Sequence, residues 1–282
     1  MKIVFICVNY FSDKETLRFV DAIFKQPAKD SVYVVVVDNT PREESDHFGN
    51  ILQGRYKHIC WIKSPLNLGY FGAARYGLEI FLKKNILPEW IIVSNVDLMF
   101  GDSEFLSRLH DFNCGRDIGI VAPSIRSALN NRDQNPFMVY RPSAMRMQFY
   151  KLLTKNYMLS SFYAWASNLK NRFLLPFKKS KAHSLGHIHQ RIYAPYGSCI
   201  LFNKTYFKKG GTLDYPCFLF GEEIYVAETA RALDLQVIYK PELKIIHEEH
   251  VSTGKTKTRK MASYAADAAA YCADTFFIQK PK

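Results

Sequence analysis

Trp90-Ile91-Ile92-Val93-Ser94-Asn95-Val96-Asp97 is an apolar run that stops abruptly in an Asn-x-Asp pair. A run this short and this apolar, bounded by polar residues, fits a buried parallel strand. In open α/β sheets ligands gather at the carboxyl ends of such strands, and a carboxylate placed there can hold a divalent cation. Asn95 and Asp97 would serve equally well as turn residues. Their meaning therefore depends on what stands at the other strand ends.

Outward from this run the same pattern repeats. Ile3 to Val8 reads as a strand, Lys14 to Phe24 as a helix with Leu17, Val20, Ile23 and Phe24 on one face, and Val32 to Val37 as a strand ending in Asp38-Asn39. Ile59 to Ile62, a helix from Gly72 to Lys84, the strand from Trp90 to Val93 and another from Ile118 to Ala122 continue the alternation. Such βαβ order predicts an α/β fold with a mostly parallel central sheet and helices on both faces. Tyr196 to Phe202, Val237 to Tyr239 and Lys244 to His247 read as later strands, and Glu222 to Leu233 and Ala262 to Phe277 as helices.

With 282 residues, 48% of them hydrophobic, the chain can bury a large core, which excludes a disordered protein. The six cysteines form no Cys-x-x-Cys pair, so they read as reduced thiols of a cytosolic protein rather than a zinc or disulfide framework. The apolar start at Ile3 is too short for a signal peptide, and no run of about 18 apolar residues predicts a membrane span. The net charge of +12 is concentrated: between Asp133 and Asp214 stand 13 Lys and Arg and no Asp or Glu, which leaves 25 bases against 26 acids elsewhere. The middle of the chain is built to meet something anionic. From Pro142 to Lys181 aromatics interleave with these cations, and Leu159, Phe162, Tyr163, Ala166, Leu169 and Phe173 fall near helical spacing. Such a stretch suits a helical hairpin packed on the sheet, and it also suits a segment lying on an anionic leaflet.

Four further clusters sit at or just after predicted strand ends or helix starts. Asp38, with Asn39, can accept from the imide N–H of uracil or thymine or from a ribose hydroxyl, or simply form a turn. Asn67-Leu68-Gly69-Tyr70-Phe71-Gly72 opens a helix with small residues that let backbone N–H groups approach a nucleotide, and Arg75 can neutralise a diphosphate. The Gly-x-Gly-x-x-Gly spacing of dinucleotide folds is absent. Glu222 and Glu223 start a helix, where acids suit the dipole and where one of them can take a proton from an acceptor hydroxyl. His247, before Glu248, Glu249, His250 and the basic loop from Ser252 to Lys260, can complete a metal shell with Asp97 while the loop shields a diphosphate.

Taken together, Val37-Asp38-Asn39, Asn67-Leu68-Gly69, Asn95-Val96-Asp97, Phe220-Gly221-Glu222-Glu223 and His247 with Ser252 resemble the ordered motifs of the second family of inverting glycosyltransferases. The likeness is closest to the rhamnosyltransferase-like branch that builds bacterial surface polysaccharides such as O-antigen and capsule. It covers residues 1 to about 125 and 192 to about 255. The resemblance implies a single GT-A domain: a nucleotide-sugar half over 1–125, a basic amphipathic helical insertion over 126–191, and an acceptor and catalytic half over 192–282. It places Asn9, Asp38, Asn39, Asn67, Gly69, Arg75, Asn95 and Asp97 around a UDP- or dTDP-sugar, Asp97 and His247 on Mg2+ or Mn2+, and Glu223, with Glu222 beside it, at the catalytic base position. It also implies a glycan or lipid-linked acceptor and a cytoplasmic enzyme peripheral on the anionic inner membrane surface, with no nucleic acid partner. Three positions depart from the pattern: Arg75 replaces the common Asn, Asn95 the first Asp of Asp-x-Asp, and Glu223 the more frequent Asp.

Three other readings fit parts of the chain. Sugar nucleotidyl transfer would need a Gly-rich basic loop after the first strand, which is absent. A nucleic-acid binder would use the acid-free basic stretch and its aromatics, and a non-catalytic assembly partner would keep the fold without the acids.

Overall fold

A computed structural model of the chain describes residues 2–27, 29–41, 46–155, 190–249 and 259–278. The first half runs Ile3–Asn9 (β1), Asp13–Phe24 (α1), Val32–Asp38 (β2), Asp46–Arg55 (α2), Ile59–Lys63 (β3), Gly69–Leu82 (α3), Trp90–Ser94 (β4), Leu98–Phe100 (β5), Phe105–Asp111 (α4) and Ile118–Ser127 (β6). It is followed by Ala144–Lys155 (α5), Gln190–Ile192 (β7), Cys199–Asn203 (β8), Lys204–Lys208 (α6), Glu222–Ala232 (α7), Gln236–His247 (β9) and Arg259–Phe276 (α8).

The period of two residues in a strand explains the layering. Ile3, Phe5 and Cys7 of β1 enter one apolar core while Val4 and Ile6 enter another. In the same way Trp90 and Ile92 of β4 face the first core, and Ile91 and Val93 the second. Strands buried on both sides need a helical layer on each. Phe19, Val20 and Ile23 of α1 and Phe105 and Leu109 of α4 close the first core. Phe71, Leu78 and Phe81 of α3 and Tyr225, Val226 and Ala230 of α7 close the second.

The sheet has the order β3-β2-β1-β4-β8-β6-β9-β5, with β7 pairing onto β9. Strands β1 to β4, β6 and β9 share one direction, whereas β5, β7 and β8 run against them. The fold is thus α/β with a mostly parallel sheet. Because β2 lies on one side of β1 and β4 on the other, the order reverses there, and ligands bind outside the strand ends at such a point.

Several elements differ from the sequence reading. The chain from Gln236 to His247 is one strand, where the sequence suggests two. Pro241 has no N–H to give to a ladder. It is carried in a bulge, with Lys240 opposite Pro123 and Lys244 opposite the next residue, Ser124. Strand β5 and helices α2 and α4 escape periodicity because they are short, and α3 starts at Gly69 rather than Gly72. Of the basic stretch 142–181, helix α5 is described. The rest of that stretch, and 250–258 in the predicted basic loop, lie outside the described residues. Among the described residues no helix is long and apolar enough to cross a membrane.

Candidate active site

Parallel pairing of β1 with β2 sets Asn9 opposite Asp38 at the carboxyl ends of both strands. Asn9 Nδ2 donates to Asp38 Oδ1 at 2.9 Å, and its Oδ1 accepts from Thr16 Oγ1 at 2.9 Å. The Thr40 N–H reaches the same Asp38 oxygen at 3.2 Å. Asp38 is therefore a buried acceptor whose direction is fixed by its neighbours. Beyond it, the Asn39 amide donates to the Gly69 carbonyl at 2.7 Å and accepts from the Leu68 N–H at 3.3 Å, which ties β2 to the start of α3. Asn67 Oδ1 takes the Gly69 N–H at 3.1 Å. Gly69 has φ +74°, and a Cβ there would lie 2.1 Å from the Phe218 carbonyl oxygen. Only glycine serves at that position. The same carbonyl accepts from the Tyr70 N–H at 3.2 Å, joining this motif to the segment before Glu222 and Glu223.

Two rings that the motifs did not single out belong beside Asp38. Tyr10 and Phe11 follow Asn9 directly, stay 41% and 62% exposed, and meet edge to face at 4.8 Å. The Phe11 N–H donates to Thr40 Oγ1 at 3.0 Å, which holds the residue at φ 52°. Exposed aromatics straight after a buried strand are the signal that marks them in the sequence.

The second end of the site is built by β5. Its pairing sets Leu98 opposite His247, so that Asp97 and His247 come together across 150 residues of sequence. His247 Nε2 lies 3.4 Å from Asp97 Oδ2, while Asp97 Oδ1 is buried with no hydrogen-bond partner among the described residues. Gln134 fixes the imidazole. Its Nε2 donates to Glu249 Oε1 at 2.8 Å, and a carboxylate can only accept, so its Oε1 is the atom facing His247 Nδ1 at 2.9 Å. Nδ1 therefore carries a proton, and in the neutral ring Nε2 turns a lone pair toward a carboxylate. An orphaned carboxylate oxygen beside such a lone pair is a donor set suited to a cation. Among the described residues no group of three or more His, Cys, Asp or Glu could hold a metal. A pair fits the way Mg2+ binds, with few protein ligands and the rest from water and substrate phosphates.

Tyr196 bridges this end to the two glutamates. Its ring stands 6.2 Å from that of His247. Burial, and then the charges of Glu223, Glu249 and Asp97, push its hydroxyl up to about 12. Glu223 is only partly buried, whereas Glu222 is 5% exposed. A Cβ on Gly197 would meet Glu223 Oε1 at 2.6 Å, so the carboxyl rests against the backbone of the loop before β8. Burial raises the Glu223 carboxyl above the usual carboxylate range, against the hydrogen bonds of the Glu223, Gly197 and Gly221 backbone. Burial and the Glu223 charge push Glu222 up to about 8. Tyr70 donates from its hydroxyl to the Gly197 carbonyl at 3.0 Å and so braces the same loop from α3.

No protein-family model matches the chain, and no curated protein sequence matches it either. Solved structures do. A mannosyltransferase from Pyrobaculum calidifontis, in complex with GDP-Man and Mn2+, superimposes with a TM-score of 0.51 at 13% identity, over 96% of this chain and 69% of its own. GalNAc-T7 with UDP, GalNAc and Mn2+ gives 0.59 at 11% identity over 97% of this chain and 48% of its own. Residues 1–349 of S. aureus TarS with UDP-GlcNAc give 0.57 at 12% identity over 99% and 68%. The fold is the GT-A fold of nucleotide-sugar glycosyltransferases. This chain therefore spans from about half to about two thirds of the length of these neighbours.

Of the residues that sequence alone points to, the structure gathers Asn9, Asp38, Asn39, Asn67 and Gly69 at one end, Asp97 with His247 at the other, and Glu222 and Glu223 close by. Asn95 keeps its side chain half-buried while its backbone N–H donates to the Ser198 carbonyl at 2.9 Å. Arg75 is not gathered with them. Its guanidinium is exposed and already paired with Glu79, at 2.8 Å, and with Asp214. Two carboxylates cancel the charge with which it would neutralise a diphosphate.

Proposed function

We propose that this chain is an inverting, metal-dependent glycosyltransferase that moves a hexose or deoxyhexose from a UDP- or dTDP-sugar to a hydroxyl of a lipid-linked glycan in surface polysaccharide synthesis. One observation carries the reading. Around Tyr196 stand an underfilled Asp97–His247 pair and a partly buried glutamate, Glu223, whose carboxyl burial raises above the usual carboxylate range. The GT-A fold, and the nucleotide sugars and Mn2+ bound by its neighbours, support it.

In this reading Asp38 accepts from the imide N–H of the base, and the Tyr10 and Phe11 rings offer an aromatic wall. Asp97 and His247 hold Mg2+ or Mn2+, which when bound supplies positive charge against the leaving diphosphate. The acceptor hydroxyl gives its proton to Glu223 as its oxygen bonds to the anomeric carbon. The bond from that carbon to the diphosphate oxygen breaks with its electron pair, and the configuration inverts. A carboxylate with a raised pKa is a better base for this step than an ordinary one. Glu222, closed off and neutral over much of the range below about 8, serves as packing for its neighbour.

The acid-free basic stretch supports a cytoplasmic enzyme resting on the anionic inner leaflet, next to a lipid-linked acceptor. Helix α5 supports the same placement, because Met145, Phe149 and Leu152 form an exposed apolar stripe, 73%, 58% and 63% open, among its cations. The first test is thermal. With Mn2+, one UDP- or dTDP-sugar is expected to raise the melting temperature, and Asp97→Ala to remove that rise. A folded protein that no nucleotide sugar stabilises would overturn the reading in favour of a non-catalytic partner.

A further inference from the structure

A second cavity, of about 330 Å³, opens at the amino end of β9, the end opposite His247. Its floor is apolar: Ile192 of β7 is paired with Val237 of β9, and both are buried. Its rim carries three guanidinium groups, those of Arg141, Arg191 and Arg231.

The acid that pairs with two of these arginines is already spent. Glu228, buried on the second turn of α7, accepts from Arg141 Nε at 2.6 Å and Nη2 at 3.1 Å, from the Tyr193 hydroxyl at 2.7 Å, and from Arg231 Nε at 3.1 Å. Burial would raise this carboxyl, but the hydrogen bonds from Arg141 and Tyr193 outweigh it and hold it charged, below its usual range. Glu228 thus engages two of the three guanidinium groups. Arg191 is exposed and has no carboxylate partner among the described residues, and Glu228 engages Arg231 through Nε only. A concave, partly apolar site with one guanidinium that no described carboxylate pairs and a second engaged only at Nε matches a tetrahedral oxyanion, which such groups grip in two places.

We propose that this cavity binds a phosphate group through Arg191 and Arg231, carried either as a free anion or on the headgroup of a membrane lipid. Arg141 and Glu228 pair beside the cavity, and Glu228 holds Arg231 through its Nε. Neither Glu223 nor Asp97 lines the cavity, so it stands or falls apart from the catalytic reading.

The test uses the full chain in EDTA, so that no metal occupies the Asp97 end. Two probes separate the sources: equilibrium dialysis against radiolabelled inorganic phosphate, and flotation with phosphatidylcholine vesicles with or without about a quarter phosphatidic acid. Arg191→Gln/Arg231→Gln leaves the Arg141–Glu228 pair intact, and Lys83→Gln/Lys84→Gln removes the same charge from the exposed end of α3. The expected result is binding of phosphate or of the acidic vesicles that falls at least about tenfold in the arginine variant and less than about twofold in the lysine variant. Dialysis binding would assign a free anion, and binding to vesicles alone a lipid. Equal weakening in both variants, unchanged binding in the arginine variant, or no binding of either probe by the parent protein would overturn the proposal. Asp97→Ala is expected to bind both probes as the parent does.

Discussion

Asp38 and Asp97 are both buried acids at the carboxyl ends of strands, yet they are finished differently. Asp38 has its oxygen oriented by Asn9 and the Thr40 N–H. Asp97 keeps one oxygen buried with no hydrogen bond from any described residue, and faces His247 with the other. A satisfied buried acid adds to stability, and an orphaned one costs it about 1–3 kcal/mol. The β1–β2 end is therefore a finished surface waiting for a flat polar edge, whereas the β5–β9 end holds an unmet demand for positive charge. The glutamates between them differ in the same way, Glu222 closed and Glu223 open.

The sharpest way to break this contrast is at the open glutamate. Glu223→Gln is expected to lower the rate of sugar transfer by about a thousandfold or more, while the thermal shift from the donor persists. Loss of folding together with donor binding would make Glu223 a structural residue. Next in size, Asp97→Asn should cost about a hundredfold in Mn2+-dependent activity. Its melting temperature without metal should hold or rise, since the substitution removes a buried charge that no described donor satisfies. The mirror change, Asp38→Ala, should do the reverse and destabilise the ligand-free protein by about 2 kcal/mol in urea titration, because the amide of Asn9 loses its acceptor.

Glu222 gives a contrast in pH. Its folded value of about 8 stands above the ordinary 4.5, so the folded state holds the proton more tightly. Stability from this group is complete below 4.5 and is lost as pH rises through 8. Glu222→Gln should flatten that loss, raising stability at pH 8 by about 4 kcal/mol with little change at pH 4. The smallest expected effect is at Gln134. Gln134→Leu leaves the His247 ring without its acceptor and should weaken Mn2+ binding about tenfold, as read by calorimetry, with no change in the fold. An equal affinity would show that the tautomer does not matter to the cation.

Much of this arrangement can be read directly from the chain. Apolar runs of five to seven residues with helical spacing between them dictate the two-sided sheet, and the polar residues that end those runs, Asp38, Asn39 and Asp97, are where ligands gather. Short elements are not legible, because three residues such as Leu98 to Phe100 carry no period. It is that strand which joins Asp97 to His247. Arg75 shows the opposite error: a cation in the right motif is drawn off by Asp214, which lies 139 residues away in sequence.

By itself the sequence determined the layers, the strand ends and the acids that stand on them, since hydrophobic period and chain breaks are local properties. Tertiary structure alone decided which glutamate stays partly exposed, which oxygen of Asp97 goes unpaired, how Gln134 orients His247, and that Glu228 engages Arg141 and Arg231 beside the second cavity. These depend on distances between residues remote in the chain, and hydrogen bonds and charges act through space, where the order of residues carries no information.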